Sequence, residues 1–308
     1  MNILIVGLGS IGTTHINALK FLKIKANIYA LRSSKYVREE SNIKNIFDIE
    51  SVDFKFDFVI VSNPTHLHYT YIKKFAKLGI PLFIEKPLVH SLQYIDELLK
   101  IINEKSLINY VACNLRFHPC IKFLKKELPL KKLQINEVNV YCGSYLPDWR
   151  PGKNFREFYS VNPEMGGGVH LDLFHELDYV FWLFGYPKKS QSVLRNVSSL
   201  EIEAIDYANY ILEYDGFTTS IILNYYRRNS KREIEIVFDN TIWKIDLIEN
   251  TIKDDKGSML FKAENFQIIN TYNFQMNYFI KCLLQNKLPM NDINESSEVL
   301  KIVFNNEK

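Results

Sequence analysis

Lys86 sits in the run Leu82-Phe83-Ile84-Glu85-Lys86-Pro87, an apolar strand pattern that stops at an acid, a base and a proline. A lysine at the carboxyl end of a buried parallel strand points into the crevice where open α/β sheets bind ligands. There an ammonium group can hydrogen-bond a reacting oxygen and exchange a proton with it. A second chemical signal is Gly7-Leu8-Gly9-Ser10-Ile11-Gly12, a glycine run of the kind that holds a dinucleotide pyrophosphate. The third is Asp172 with His175, inside Gly166-Gly167-Gly168-Val169-His170-Leu171-Asp172-Leu173-Phe174-His175-Glu176-Leu177-Asp178. A carboxylate beside an imidazole fixes its tautomer and stabilises its cation, which prepares the ring for proton transfer. The same pair is equally compatible with two core residues that only satisfy each other.

The elements that must hold these groups follow from pattern. Asn2–Val6 reads as an apolar strand and Ile11–Leu22 as a helix, so the glycine run has the strand-to-helix context that a dinucleotide fingerprint requires. Gly7 permits the tight turn, Gly9 lets backbone amides approach the pyrophosphate, and Gly12 lets the helix pack on the strand. The helix N-terminus, entered at Ser10 and Ile11, supplies free amides and a positive dipole end. A second strand, Asn27–Leu31, runs into Arg32-Ser33-Ser34-Lys35, with no acid before Glu39. An NAD site usually has an acid there. Arg32, Ser33 and Ser34 instead suit a 2′-phosphate, so NADP is the expected cofactor. NAD remains the alternative, with Arg32 a solvated loop residue. Phe58–Ser62 is a buried strand ending in Asn63-Pro64-Thr65, and His66 and His68 are expected to line the cofactor crevice. A helix over Tyr69–Leu78, a strand over Pro81–Glu85, a helix over Leu92–Asn103 and a strand over Tyr110–Asn114 complete the alternation of a parallel sheet.

After His118-Pro119 the pattern changes. Segments 133–143, 191–199, 205–215, 218–227, 232–238 and 241–248 read as strands of an antiparallel sheet, interrupted by one long helix over Val169–Phe184. The expected fold is α/β: a Rossmann dinucleotide-binding domain at residues 1–119, then an α+β domain at 120–308 with a large, mainly antiparallel open sheet. Asp172 and His175, three apart, would share a helical face. His170 and Asp172 would not, so no metal site is expected among His170, Asp172, His175 and Asp178. Trp149, Arg150, Lys153, Arg156 and Tyr159 lie in one loop before the glycine turn. Aromatic faces suit sugar rings and cations suit carboxylate or phosphate, and Arg116 is expected to join them. An ordinary charged loop balanced by Asp148 and Glu157 is the plain alternative.

Composition narrows the classes. A hydrophobic content of 47% over 308 residues supports sizeable cores and one large or two modest domains. Lys and Arg number 38 against 35 Asp and Glu, with no clustered basic stripe, which argues against a nucleic-acid partner. The four cysteines (Cys113, Cys120, Cys142, Cys282) have no metal-ligand spacing and read as reduced thiols of a cytoplasmic protein. The run from Met1 straight into the first strand is not expected to be a signal peptide, and no apolar run approaches the ~20 residues that span a bilayer.

Read together, GLGSIG at 7–12, SNPTHLH at 62–68, FIEKPL at 83–88, NLRFHP at 114–119 and GGGVHLDLFHELD at 166–178 resemble the Gfo/Idh/MocA family of NAD(P)-dependent oxidoreductases. The resemblance implies hydride transfer between nicotinamide and a hydroxyl or keto carbon of a sugar or cyclitol, and a homodimer or homotetramer formed through the C-terminal sheet. It implies cofactor contacts from the glycine run, from Asn63 through His68, and from Glu85 and Lys86. Lys86 would hydrogen-bond the reacting oxygen, Asp172 would be the acidic residue of the second motif, and His175 its acid–base histidine. Ser144-Tyr145-Leu146-Pro147-Asp148-Trp149-Arg150-Pro151 resembles a branch associated with surface-polysaccharide sugars, which implies a sugar or nucleotide-sugar substrate. A catalytically silent NADP-binding regulator of the same fold is the alternative function. One departure stands out: the family commonly spaces its Asp and His as D-x-x-x-H. One residue fewer rotates the histidine by about 100° on a continuous helix.

Overall fold

The cores of strands Asn2–Val6, Phe58–Val61 and Leu82–Glu85 carry residues with almost no exposure, as a sheet covered on both faces demands. The computed structural model describes residues 1–33, 42–131 and 133–304, in two compact units. The first contains Met1–Cys113 and Ile269–Leu300. Along it run β1 (Asn2–Val6), α1 (Ser10–Phe21), β2 (Asn27–Leu31), β3 (Ile43–Ile46), β4 (Phe58–Val61), α2 (His68–Lys77), β5 (Leu82–Glu85), α3 (Ile95–Glu104) and β6 (Asn109–Ala112). Among the described residues these six strands are ordered β3-β2-β1-β4-β5-β6, and every pairing is parallel. This is the doubly wound dinucleotide-binding order.

The second unit holds Asn114–Ile268 and the chain end from Lys301. It comprises α4 (Pro119–Glu127), β7 (Ile135–Tyr145), α5 (Val169–Asp172), α6 (Phe174–Phe184), β8 (Lys189–Arg195), β9 (Tyr207–Glu213), β10 (Thr218–Asn224), β11 (Tyr226–Phe238), β12 (Ile242–Asp246), β13 (Thr251–Lys253) and β14 (Met259–Lys262). The described strands follow the order β14-β13-β12-β11-β7-β10-β9-β8, antiparallel except for the parallel pair β7–β10. Side chains alternate across it: Val138, Val140 and Cys142, Ala208, Tyr210 and Leu212, and Thr219, Ile221 and Leu223 are buried on one face. Val193 and Ile211 are exposed on the other. The chain then returns to the first unit with α7 (Ile269–Leu284) and enters α8 (Ile293–Val303).

That return departs from the single division expected after residue 119, and its physical reason lies in the first sheet. Phe279 of α7 packs edge-on to Phe58 and Phe83, with ring centroids 5.1 and 5.3 Å apart. Asn109 and Val111 of β6 find hydrogen-bond partners at Ile293 and Asn291. One further expectation changes: the helix over Val169–Phe184 is two helices, broken at Leu173 (φ −97°, ψ 32°). Helix α4, ahead of the expected strands, starts at Pro119, since proline fits the first helical turn and His118 caps it by accepting from the Cys120 amide. All four cysteines are buried free thiols. Among the described residues no helix is long and apolar enough to cross a membrane.

Arg116 and Asp178 form a bidentate pair (2.8 and 2.6 Å) whose side chains have 0% and 1% exposure. Removing one partner strands a buried charge, so Asp178→Ala should cost about 3–5 kcal/mol in urea unfolding, and Arg116→Met with Asp178→Leu should cost less than the single change.

Candidate active site

In the first unit the carboxyl ends of three adjacent strands carry the candidate groups. Gly7 follows β1, Asn63 follows β4, and Lys86 follows β5. Gly7 has φ +91°, and a Cβ there would lie 2.3 Å from the Asn63 nitrogen, so only glycine fits. A Cβ on Gly12 would lie 2.4 Å from the Gly7 oxygen, which is the close approach of helix to strand. A Cβ on Gly9 would meet nothing, so its backbone faces open space. Helix α1 begins there with no side-chain cap and no acid in its first turn, leaving its amide end for an anion. Ser10 beside it is exposed and Ile11 half-buried.

Asn63 is buried, yet neither its Oδ1 nor its Nδ2 has a hydrogen-bond partner among the described residues. Such atoms are costly to bury unmatched, and a dinucleotide bound along this edge would satisfy them. Pro64 is exposed and Thr65 buried behind it. The residues present therefore fit the cofactor that the glycine run implies.

Not every expected contact stands at this edge. His68 is 1% exposed, with Nε2 2.9 Å from the Asn63 oxygen and Nδ1 3.0 Å from the Pro87 oxygen. It staples two loops together, and burial lowers its pKa. Glu85 faces His15, whose Nε2 is 2.6 Å from Oε1, so its carboxylate is committed within the protein. His66 is half-buried with an unpartnered Nδ1 among the described residues, and it lowers the pKa of His90 through charge repulsion, after burial. Lys86 is half-buried and precedes Pro87 through a cis peptide. Arg32 donates from Nε to the Asn45 side chain (2.7 Å), and Ser33 is exposed. Ser34 lies outside the described residues.

In the second unit Asp172 is the focus. Its two oxygens each accept a 2.6 Å hydrogen bond, one from Tyr159 and one from Tyr225. Burial, then the Asp172 charge, pushes both phenol pKa values well up, so both hydroxyls stay protonated donors. Trp149 lies edge-on to Tyr225 at 5.3 Å and donates to Ser144. Arg150 is exposed, 4.9 Å from the Phe158 ring, and its charge lowers the Tyr159 pKa against those effects. His175, half-buried, is the second residue of α6. The helix break separates it from Asp172, so the two do not share one helical face as expected. Tyr159, expected to touch substrate, binds Asp172 instead. Arg116, expected at the same place, spends its guanidinium on Asp178. Arg156 donates to the Glu201 carbonyl, at the loop's outer side.

Sequence reading missed Tyr225 and His15. Each had a weak local signal: Tyr225 follows a strand of alternating burial, and His15 lies three residues after Gly12 on the face of α1 that packs inward.

The family model described as "Oxidoreductase family, NAD-binding Rossmann fold" matches residues 1–113, and the GFO/IDH/MocA C-terminal domain matches residues 134–243. The chain belongs to the Gfo/Idh/MocA oxidoreductase family. It is 27% identical to the 2,7-anhydro-N-acetylneuraminate hydratase of Mediterraneibacter gnavus over 47% of this chain and 37% of that protein. Other curated relatives are likewise matched over only 59% and 52% of their lengths. The myo-inositol 2-dehydrogenase of Thermotoga maritima is 24% identical over 91% of this chain and 87% of its own. Levoglucosan dehydrogenase, solved with NADH and levoglucosan, superposes with a TM-score of 0.84 at 15% identity, covering 98% of this chain and 95% of that one, and so shares the fold.

Burial lowers the pKa of His170 and of His118 to about 4. Between that value and the unfolded 6.5 the unfolded chain binds more protons, so each histidine's contribution to stability is complete above about pH 6.5 and lost as pH falls towards 4. Unfolding free energy measured from pH 7.5 to 4.5 should therefore fall with acid, and His170→Gln should flatten the slope by up to about 1.4 kcal/mol per pH unit.

Proposed function

We propose that the protein is an NAD(P)-dependent oxidoreductase acting on a hydroxyl or keto carbon of a sugar or nucleotide-linked sugar. The observation that carries this reading is the alignment of Gly7, Asn63 and Lys86 at the ends of three neighbouring parallel strands, beside an uncapped helix N-terminus. Gly7, Gly9, Ser10, Ile11 and Gly12 would hold the pyrophosphate, with Asn63, Pro64, Thr65 and His66 along the same edge. When bound, the nicotinamide supplies or accepts hydride.

Lys86 donates a hydrogen bond to the reacting oxygen and stabilises its charge. His175 takes the proton on oxidation and returns it on reduction. Asp172, its oxygens held by two phenols, would accept hydrogen bonds from substrate hydroxyls. Arg32 and Ser33 favour the 2′-phosphate of NADP, although the Asn45 contact costs Arg32 one donor.

Substrate class follows from several supports. The hydratase and the inositol dehydrogenase are named for an anhydro-sugar acid and a cyclitol. Trp149 and the exposed Arg150 favour a ring bearing an anionic group, consistent with surface-polysaccharide or glycan synthesis in the cytoplasm. The outer face of the eight-stranded sheet, with Val193 and Ile211 exposed, supports a homo-oligomer through that face.

Assaying sugars and nucleotide sugars with NADP and NAD tests the reading, and no turnover on such a panel would count against it. Lys86→Ala should lower turnover by about 10²–10⁴-fold with cofactor affinity near wild type. Arg32→Ala should weaken NADP binding by about tenfold and leave NAD binding unchanged, as loss of a charge-assisted phosphate contact does; titration of cofactor fluorescence reads both.

A further inference from the structure

His15 has no role in the proposed chemistry, yet it is fully buried and its Nε2 lies 2.6 Å from Glu85 Oε1. A carboxylate only accepts hydrogen bonds, so the ring proton sits on Nε2 and is donated to Glu85. Nδ1 has no partner among the described residues. The ring itself packs edge-on to Phe83 and Tyr272, with centroids 4.8 and 6.1 Å away. One polar bond therefore decides the ring's orientation.

The two ends of this bond belong to the two halves of the cofactor edge. His15 is on α1, one turn inside the amide end that follows Gly9. Glu85 is the last residue of β5, directly before Lys86, and its other oxygen accepts the Lys86 amide at 3.3 Å. Lys86 is the first residue after the strand, so a Glu85 carboxylate held on α1 by one oxygen and on the Lys86 amide by the other fixes the backbone from which the lysine leaves.

We propose that His15 is a positioning residue for Lys86: through Glu85 it sets the lysine against the helix that receives the cofactor phosphates. This rests on the reading of Lys86 as a residue that faces the cofactor. Misplacement of a reacting group by about 1 Å costs up to about 10²-fold in rate, so a buried link of this kind matters without touching substrate.

The full-length chain tests it without any need for turnover. Lysine acylation by an acetyl ester is followed by mass spectrometry, with Lys86 scored against the exposed Lys77 of the same molecule, in wild type, His15→Ala and His15→Gln. Freed from its tether, Lys86 in His15→Ala should acylate about tenfold faster relative to Lys77, an effect of the size expected for lost local order. His15→Gln, whose amide N–H reaches the position of Nε2–H, should restore the wild-type ratio. At saturating NADPH, protection of Lys86 should be strong in wild type and His15→Gln and weak in His15→Ala. Cofactor dissociation constants should change less than the protection does. An unchanged Lys86/Lys77 ratio in His15→Ala overturns the proposal, as does a failure of glutamine to rescue while the circular dichroism melt stays wild type. Absence of NADPH protection in wild type overturns instead the placement of Lys86 at the cofactor, and the cofactor-free ratios still decide the role of His15.

Discussion

Between residues 172 and 178 the chain buries three carboxylates, Asp172, Glu176 and Asp178, at 7%, 0% and 1% exposure. Removing a carboxylate from water costs several kcal/mol unless donors replace the solvent. Each acid here has its own set: Tyr159 and Tyr225 for Asp172, Arg232 for Glu176, Arg116 for Asp178. Those donors come from a loop turn, from the residue just before β11, from β11 itself, and from the segment before α4. The α5–α6 segment is thus tied in several directions by bonds that cannot be exchanged for water. His175 lies inside this lattice, and its backbone has little freedom to move without unpairing a charge.

The first unit meets the same requirement with single side chains. Ser62 donates to the Gly7 oxygen, His68 bridges Asn63 and Pro87, and His15 meets Glu85. Each bond ties a strand end or the loop after it to a neighbouring element at the carboxyl edge of the sheet. Polar groups that serve the fold are thereby used up, and Asn63 is left with amide atoms unmatched among the described residues. A ligand edge can be recognised in this way as the remainder after structural pairing. The contrast between His68 and Asn63, five residues apart, shows that position at a strand end does not by itself make a contact residue.

What was legible in the sequence was local. The glycine turn, the apolar strands and the lysine at the end of β5 follow from spacing and burial pattern within a few residues. Pairing is different, because a charge is read correctly only when its partner is known. Arg116 looked like a substrate contact as a cation at a strand end, and its partner at Asp178 lies on a helix far along the chain. Glu85 looked like a cofactor contact until His15 claimed it. Short strands such as Thr251–Lys253 and Met259–Lys262 escaped because three or four residues with lysines among them carry almost no periodic signal. Helix α7 escaped for another reason: its role is to cover a sheet built by the other end of the chain.

The Asp-to-His spacing illustrates how a local rule fails across a joint. One residue fewer than the common family pattern displaces an imidazole by about 100° only if the helix is continuous. Leu173 interrupts it with neither glycine nor proline to announce the break. Asp172 ends one helix and His175 begins the next, so the helical phase restarts between them and residue counting no longer measures an angle. The direction of the imidazole is set instead by its neighbours. Phe174 is fully buried on one side of it, and Glu176 is clamped by Arg232 on the other. A shorter spacing can therefore present the histidine as well as a longer one, provided the ion pairs that hold the second helix remain.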